Sequence, residues 1–272
     1  MRRLVRLLLM VSFASLLVPF PALAGPPFLT DDPEPVEYKH WEIYLASLSA
    51  EQHGVSMTAP HVEINYGVAP NFQLHLIAPM EYVKPSGQPS HYGYGDTELG
   101  VKWRFFNNEE TKFMAGTFPF LEVPTGDESK GLGNGHPQVF LPLWLQKGWG
   151  PWLTYGGGGY WFNPGEGHKD FWYFGWLLQR EINKYFTLGA EIFYQTPRQT
   201  DDEHHFGFNV GSIINITENH HILLSAGTDM VGPTSFYSYI AYQLTFGPEE
   251  GKGSGEAHLT NEVYRMSEGR VR

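Results

Sequence analysis

The chain has 272 residues, a formal net charge of −11, no cysteine, and aromatic residues at 15% of its positions. The acidic balance argues against nucleic acid as a partner and against a general channel for anions or phosphate. Beyond the N-terminal region, no segment approaches the roughly 18 uncharged apolar residues of a membrane-spanning helix. Composition therefore excludes helical membrane spans and leaves strands as the means of crossing a membrane.

The N-terminal residues have the three parts of a secretory signal peptide. A basic region at 2–6 precedes an apolar run at 7–17, and Ala22-Leu23-Ala24 supplies the small residues of a cleavage site. A membrane anchor is the alternative, but the apolar run is short and is followed by two prolines. The sequence predicts a cleaved signal peptide at 1–24. An exported chain without disulfides must then be held by hydrogen bonds and packing.

Apolar residues recur at every second position, in stretches of about ten, from residue 36 to residue 246. Trp172, Phe174 and Trp176, for example, alternate with Tyr173 and Gly175. This period indicates strands, because successive side chains of a strand point to opposite faces of the sheet. The second face carries ionisable and amide side chains in strand after strand. Aromatic residues on one face and polar residues on the other are typical of a transmembrane β-barrel, with lipid outside.

Twelve strands are predicted, at 36–48, 56–68, 71–83, 94–107, 111–123, 137–147, 151–162, 170–182, 185–196, 203–217, 220–228 and 234–246. Five connections are tight turns, at 69–71, 107–110, 148–150, 183–184 and 218–219. They alternate with six longer connections, at 49–55, 84–93, 124–136, 163–169, 197–202 and 229–233. This alternation predicts a closed, antiparallel, all-β barrel with short periplasmic turns and longer extracellular loops. Both termini are then periplasmic, in the outer membrane of a Gram-negative bacterium.

Two segments flank the predicted barrel at 36–246. Residues 25–35 are rich in proline and acid and predict a flexible periplasmic lead-in. Residues 247–272 are rich in glycine and charge and predict a disordered periplasmic tail, with a short helix near 259–267 as the alternative. The last strand ends on Phe246 and resembles the signal by which the barrel-assembly machinery recognises its substrates. The other expected partners are outer-membrane lipid and lipopolysaccharide, and the barrel is expected to be a monomer.

A girdle of aromatic residues is predicted at the periplasmic ends of the strands, where such rings lie at the level of the lipid headgroups. Its members are Tyr38, Tyr66, Phe72, Trp103, Phe105, Phe113, Trp149, Trp152, Tyr185, Phe186 and Phe246.

The inward face defines candidate functional residues, because a barrel of twelve strands lies between side-chain-filled and open barrels in width. Two interpretations stay open for its charged groups: a mildly cation-preferring constriction, or cross-strand ion pairs that keep a narrow barrel rigid. Inward aromatic residues either meet an aromatic or acyl solute or fill space. The candidate lumen-lining residues are Glu42, Glu63, Glu98, Lys102, Arg104, Glu191, Tyr237 and Tyr239, and further inward residues are His75, Phe118, Phe120, Glu122, Gln138, Trp144, Gln146 and Tyr173.

Neither catalysis nor metal binding is predicted. Outer-membrane lipolytic enzymes use a Ser–His pair near the extracellular end, and the candidates His53 with Ser56 and Ser90 with His91 fit no pattern of that kind. The run 201–205 contains acids and histidines that could ligate a divalent cation, but a solvated acidic loop is the preferred interpretation. The sequence therefore predicts no catalytic residue, no metal and no cofactor.

Several phrases carry a family resemblance. Gly95-Asp96-Thr97-Glu98-Leu99-Gly100 precedes Pro124-Thr125-Gly126-Asp127 and Gly131-Leu132-Gly133-Asn134-Gly135, and Leu188-Gly189-Ala190-Glu191 follows later. This order resembles the outer-membrane β-barrel family named for the MetA pathway of phenol degradation, over roughly 36–246. The resemblance implies transfer of small, often apolar molecules across the outer membrane. The alternatives are a structural or adhesion-type barrel with a closed lumen and a barrel lipolytic enzyme.

Overall fold

The structure is a computed structural model, and it describes residues 26–52, 54–200, 202–234 and 236–248. The predicted signal peptide and nearly all of the predicted tail lie outside these residues. The strand segments are β1 (Trp41–Glu51), β2 (Gly54–Ala69), β3 (Phe72–Pro85), β4 (His91–Tyr94), β5 (Thr97–Asn108), β6 (Phe113–Thr117), β7 (Phe120–Val123), β8 (Gln138–Trp149), β9 (Trp152–Phe162), β10 (Phe171–Asn183), β11 (Phe186–Gln195), β12 (His205–Asn215), β13 (His220–Val231) and β14 (Phe236–Phe246). A single 3-10 turn, Glu128–Lys130, lies in the loop before β8.

The sheet is antiparallel throughout and closes on itself, because β1 pairs with β14. β3 pairs with both β4 and β5, and β8 pairs with both β6 and β7. Each of these two pairs of short segments is therefore one interrupted strand of the wall. The wall contains twelve strands, and the predicted closed antiparallel barrel is confirmed. No helix in the described ranges is long and apolar enough to cross a membrane.

The two interruptions have local causes. The predicted strand 94–107 is broken at 95–96, where the Asp96 carboxylate accepts hydrogen bonds from two backbone N–H groups of the loop before β8. The predicted strand 111–123 is broken at 118–119. Pro119 has no N–H to donate to a neighbouring strand, so the ladder cannot continue through it.

Two predicted boundaries at the start of the barrel are wrong. The first strand begins at Trp41 instead of residue 36, because the chain turns at Lys39, whose φ is 68°, and enters the wall only afterwards. The connection predicted at 49–55 is not a long loop. Pairing continues to Glu51 opposite Val55, so only residues 52 and 53 separate β1 from β2. The five tight turns lie within about two residues of their predicted positions, the largest shift being the turn predicted at 107–110, which lies at 109–112.

The two faces of the wall separate as predicted. Trp172 and Trp176 on β10 are 47% and 51% exposed, whereas Leu177 between the outward positions is 0% exposed. At the ends of the strands near the tight turns, exposed rings contact one another. The rings of Phe72 on β3 and Trp103 on β5 are stacked with centroids 5.6 Å apart, and the Phe105 ring meets Trp103 edge-on at 5.6 Å. This arrangement is the girdle that the sequence predicts.

Candidate functional site: a lumen occupied by the N-terminal segment

Residues 26–36, here called the N-terminal segment, run inside the barrel. Thr30 and Asp32 are 0% exposed, and Phe28 packs in a cluster with Leu153, Tyr155 and Leu177 of the wall. The prediction of a flexible periplasmic lead-in is therefore wrong for this segment. Its acidic groups and backbone N–H groups enter the lumen because the wall supplies partners that compensate for their lost hydration.

Glu191 on β11 holds the middle of the segment. Its two carboxylate oxygens accept hydrogen bonds from the backbone N–H groups of Leu29 and Thr30, each at 2.8 Å. Asn209 on β12 donates a third hydrogen bond to the same carboxylate at 2.7 Å. A charged acceptor with three donors is satisfied without an ion pair. The predicted lumen residue Glu191 thus binds the chain's own backbone.

Lys102 on β5 holds the next residues of the segment by charge. Its Nζ lies 2.9 Å from Asp31 Oδ1 and 3.5 Å from Asp32 Oδ2. The side chain of Lys102 is buried, so the two carboxylates replace water around its ammonium group. One of the two open interpretations was that Lys102 pairs with acids of neighbouring strands. Its closest partners come instead from the N-terminal segment.

Further contacts fasten both ends of the segment. Ser225 donates its hydroxyl to the Pro27 carbonyl at 2.6 Å, and the Val36 N–H donates to Gln73 Oε1 at 2.8 Å. Gln146 donates to Glu34 at 2.9 Å. Arg104, the other predicted base of the lumen, has its guanidinium 4.0 Å from the same Glu34 carboxylate. Polar side chains on five strands, β3, β5, β8, β11 and β13, therefore contact the segment.

Inward-facing glycines give the segment room. A Cβ atom added at Gly175 would lie 2.1 Å from Thr30 Oγ1, and one at Gly189 would lie 2.7 Å from the ring of Phe28. A Cβ at Gly116 would lie 2.9 Å from Pro33. Distances this short require the neighbour to move. The segment consequently fits the lumen only where the wall has no side chain.

His75 on β3 is the centre of a second group of polar side chains. Its Nε2 lies 2.7 Å from Glu98 Oε1, and its Nδ1 lies 2.6 Å from Asn65 Oδ1. Glu63 lies 3.7 Å from Nδ1, and the Phe118 ring packs edge-on against the imidazole at 5.0 Å. This is the cross-strand network of the second interpretation, and it includes two of the predicted residues.

The remaining predicted residues lie at the sides of the lumen. Tyr44 donates its hydroxyl to Glu42 at 2.8 Å and accepts a hydrogen bond from Gln243. Tyr237 donates to Asp229, which also accepts from the Thr234 backbone and faces His205 at 2.9 Å.

Tyr239 packs in an apolar cluster with Tyr44, Ala46, Ile213, Leu223 and Ala241. Tyr239 therefore points inward, as the period of two predicts. Its ring is only 9% exposed and fills space between strands.

Two cavities lie on either side of the segment. The outer cavity, of about 760 Å³, is lined by residues of the loops before β8, β10 and β12 and by the strand ends near them. The inner cavity, of about 840 Å³, is lined by residues near the tight turns, including Glu42 and Lys184. Five residues line both cavities: Pro26, Asp31, Glu63, His75 and Phe118. The cavities therefore meet at the N-terminal segment and the His75 group.

The two sequence motifs around the third predicted loop contact each other. Asp96 Oδ1 accepts the Gly126 N–H at 2.9 Å, and Oδ2 accepts the Asn134 N–H at 2.6 Å. A Cβ at Gly133 would lie 2.3 Å from the same carboxylate. Asp127 is exposed in this loop, where hydrogen bonds from Lys130 and Ser129 hold the pKa of its carboxyl below the usual value. The aspartate of the first motif thus orders the loop that carries the second.

The sequence did not identify the segment residues that complete the site, namely Phe28, Thr30, Asp31, Asp32 and Glu34. One signal was present: the inward positions of β10 and β11 include Gly175 and Gly189, which leave space in a barrel whose other inward side chains are large. Within the described ranges, no group of three or more His, Asp or Glu side chains is placed to hold a metal ion.

A closed antiparallel barrel with an apolar outer face, an aromatic girdle and a polar lumen has the architecture of outer-membrane β-barrels. No family model and no curated protein matches the chain. Solved structures do match its fold. An outer-membrane channel named COG4313, from Pseudomonas putida F1, aligns with TM-score 0.65 at 15% identity, over 82% of this chain and 100% of that one.

The KdgM porin aligns with TM-score 0.53 at 13% identity, over 75% of this chain and 99% of the porin. The NanC porin aligns with TM-score 0.52 at 7% identity, over 74% and 98% of the two chains. These likenesses establish the outer-membrane barrel fold. The resemblance to the family named for the MetA pathway of phenol degradation stays a prediction.

Proposed function

We propose that this protein is an outer-membrane channel or binding transporter for small molecules, and that its N-terminal segment is the gate. The observation that carries the proposal is the pair of cavities, about 760 and 840 Å³, that meet where the N-terminal segment lies beside the His75 group of the wall. A segment can move out of a lumen while the ladder of the barrel stays intact. The chain's likeness to a channel and two porins supports the same function.

The polar contacts of the segment suit a gate because water can replace them. Glu191 and Lys102 provide the two main attachments, and each consists of hydrogen bonds or ion pairs that water can replace when the segment leaves. Such contacts contribute about 1–3 kcal/mol each. The segment is therefore held firmly enough to close the lumen and weakly enough to be displaced.

Aromatic residues of the outer cavity favour small molecules with an apolar or aromatic part. Phe120, Phe140, Trp161 and Phe171 all line it. The predicted resemblance to the MetA-pathway family suggests the same solutes. A structural or adhesion-type barrel with a permanently closed lumen is the competing function, and it requires that the segment never leaves.

A disulfide between the segment and the wall tests the gate. The native chain has no cysteine, so the two introduced cysteines have no other intramolecular partner. In a Thr30→Cys, Gly175→Cys variant, the two Cβ atoms start 3.0 Å apart, within about 1 Å of the usual disulfide separation. We expect the oxidised variant to show little conductance in planar bilayers and little solute uptake in liposome swelling. Reduction should raise both to at least the level of the native protein.

An Ala46→Cys, Ala241→Cys variant is the matched control, because it joins two strands of the wall and leaves the segment free. Its transport should not depend on redox state. Equal transport by the oxidised and reduced Thr30–Gly175 variant would contradict the gate. Absence of transport from the native protein and from the reduced variant would contradict the channel and favour the structural barrel.

A further inference from the structure

One wall of the outer cavity carries a ladder of aromatic rings in register across four strands. Phe120 on β7 pairs with Phe140 on β8, Phe140 pairs with Trp161 on β9, and Trp161 pairs with Phe171 on β10. The successive ring centroids are 5.3, 4.9 and 5.5 Å apart. Phe120 and Trp161 are partly exposed to the cavity, whereas Phe140 and Phe171 are buried and support them, so Phe120 and Trp161 provide the apolar surface on which a planar ring can stack.

A polar belt lies two residues from this ladder, on the loop side. Glu98 on β5 pairs with Glu122 on β7, and Glu122 pairs with Gln138 on β8. The Asn134 amide donates to Glu122 at 3.2 Å and to Gln138 at 2.6 Å. Because side chains two positions apart share a face, the belt and the ladder face the same cavity side by side.

Glu122 differs from the other described acids that line the outer cavity because its nearest cation, Arg198, acts on its carboxylate only from beyond ion-pair distance. Asp31 is paired with Lys102, and Glu98 with His75. Within the described residues, Glu122 forms no ion pair. Among the described residues that line the outer cavity, Arg198 is the only Lys or Arg, and its guanidinium lies over the Phe171 ring at 5.1 Å. The belt thus presents a carboxylate whose hydrogen-bond partner is an amide.

We propose that the ladder and Glu122 form a binding subsite for an aromatic ring that carries an ammonium or similar cationic group. The ring stacks on Phe120 and Trp161, and the cation lies between the Glu122 carboxylate and the negative faces of these rings. An aromatic carboxylate of the same size would place its negative charge beside the Glu122 carboxylate and would be repelled. This inference rests on the proposed function, since it names the class of solute that the outer cavity selects.

Binding of three matched ligands to the refolded full-length protein in detergent tests the subsite. The probes are phenethylamine, phenethyl alcohol and phenylacetate, which share a phenyl ring and differ in charge. Calorimetry should give affinities in the order cation, neutral, anion. Glu122→Gln should weaken phenethylamine binding about tenfold and leave the neutral ligand nearly unchanged.

Two further variants separate charge from stacking. Phe120→Leu should weaken all three ligands by a similar factor, because it removes a ring that each of them contacts. Glu166→Gln, at an exposed carboxylate in the loop before β10, is the matched control and should change none of the affinities. Migration of the unheated variants in gels shows whether each barrel has folded.

The subsite is overturned if Glu122→Gln leaves the ratio of phenethylamine affinity to phenethyl alcohol affinity unchanged. It is also overturned if phenylacetate binds as tightly as phenethylamine. The proposed channel fails in a different measurement. If the protein prefers the amine but shows neither bilayer conductance nor liposome swelling, the binding subsite is supported and the transport function is contradicted.

Discussion

At the scale of single residues, the lumen uses its charged groups to hold the chain's own backbone and acids. Glu191 accepts two backbone N–H groups of the N-terminal segment, and Lys102 pairs with two of its carboxylates. Outward-facing residues follow a simpler rule, because they take no part in the contacts with the segment. The consequence of a substitution therefore depends on the face to which a side chain points.

Trp176 tests the outward face. It is 51% exposed at the middle of β10, and Trp176→Arg would place a guanidinium in the hydrocarbon layer. We expect the free energy of unfolding to fall by about 2–4 kcal/mol, measured by urea unfolding of the protein folded into lipid vesicles. Trp176→Phe, the control, should lose far less. A neutral Trp176→Arg variant would show that this face does not contact the centre of the bilayer.

At the scale of elements, glycines in the strands decide where the N-terminal segment can lie. Gly175 on β10 faces the segment, and the segment occupies the volume that a side chain at this position would fill. The strand itself needs no glycine there, because its backbone is regular. Gly175 is instead explained by its contact with the segment. The residue at one position of a strand thus depends on where a distant part of the chain lies.

Gly175→Ala is expected to loosen the segment. The added Cβ would lie 2.1 Å from Thr30 Oγ1, so Thr30 must move. Overpacking of this kind costs about 1–3 kcal/mol, which predicts hydrogen exchange in residues 26–36 at least about fivefold faster and a higher bilayer conductance. Gly148→Ala is the control, since its nearest atom would be at 3.5 Å. Unchanged exchange in the Gly175 variant would contradict this packing.

At the scale of the whole molecule, stability depends on the pairing of the first strand with the last. β1 and β14 pair over eleven residues, and this seam removes the two edges that an open sheet would expose to lipid. The two interrupted strands do not open the wall, because β4 and β5 both pair with β3, and β6 and β7 both pair with β5 and β8. Closure of the sheet, and not a compact apolar core, encloses the lumen.

A covalent link across the closing seam should therefore stabilise the whole barrel. Ala46 and Ala241 are directly opposite, face the lumen and are 3% and 2% exposed. Oxidised Ala46→Cys, Ala241→Cys protein should unfold at a higher temperature than its reduced form, because the chain-entropy account predicts a stabilisation of about 5 kcal/mol for a loop of this length. Heating followed by gel electrophoresis measures this midpoint. Failure of the two cysteines to form a disulfide would argue against the β1–β14 register.

The sequence alone determined the local and periodic features of this protein. The period of two assigned the strands and their two faces, and the five tight turns follow from Gly, Pro and Asn chemistry that acts over a few residues. Inward orientation was correctly predicted for Glu191, Lys102 and Glu98 for the same reason. Each of these inferences uses neighbours in the chain, where the spacing of side chains is set by backbone geometry.

Only the tertiary structure decided what fills the lumen. Residues 26–36 have no periodicity and contain four prolines, so nothing local distinguishes a segment inside the barrel from a periplasmic lead-in. Its position depends on Glu191, Lys102 and Gly175, which are between about 70 and 160 residues away in the chain. Interactions over such separations appear only when the closed barrel brings its strands around one volume.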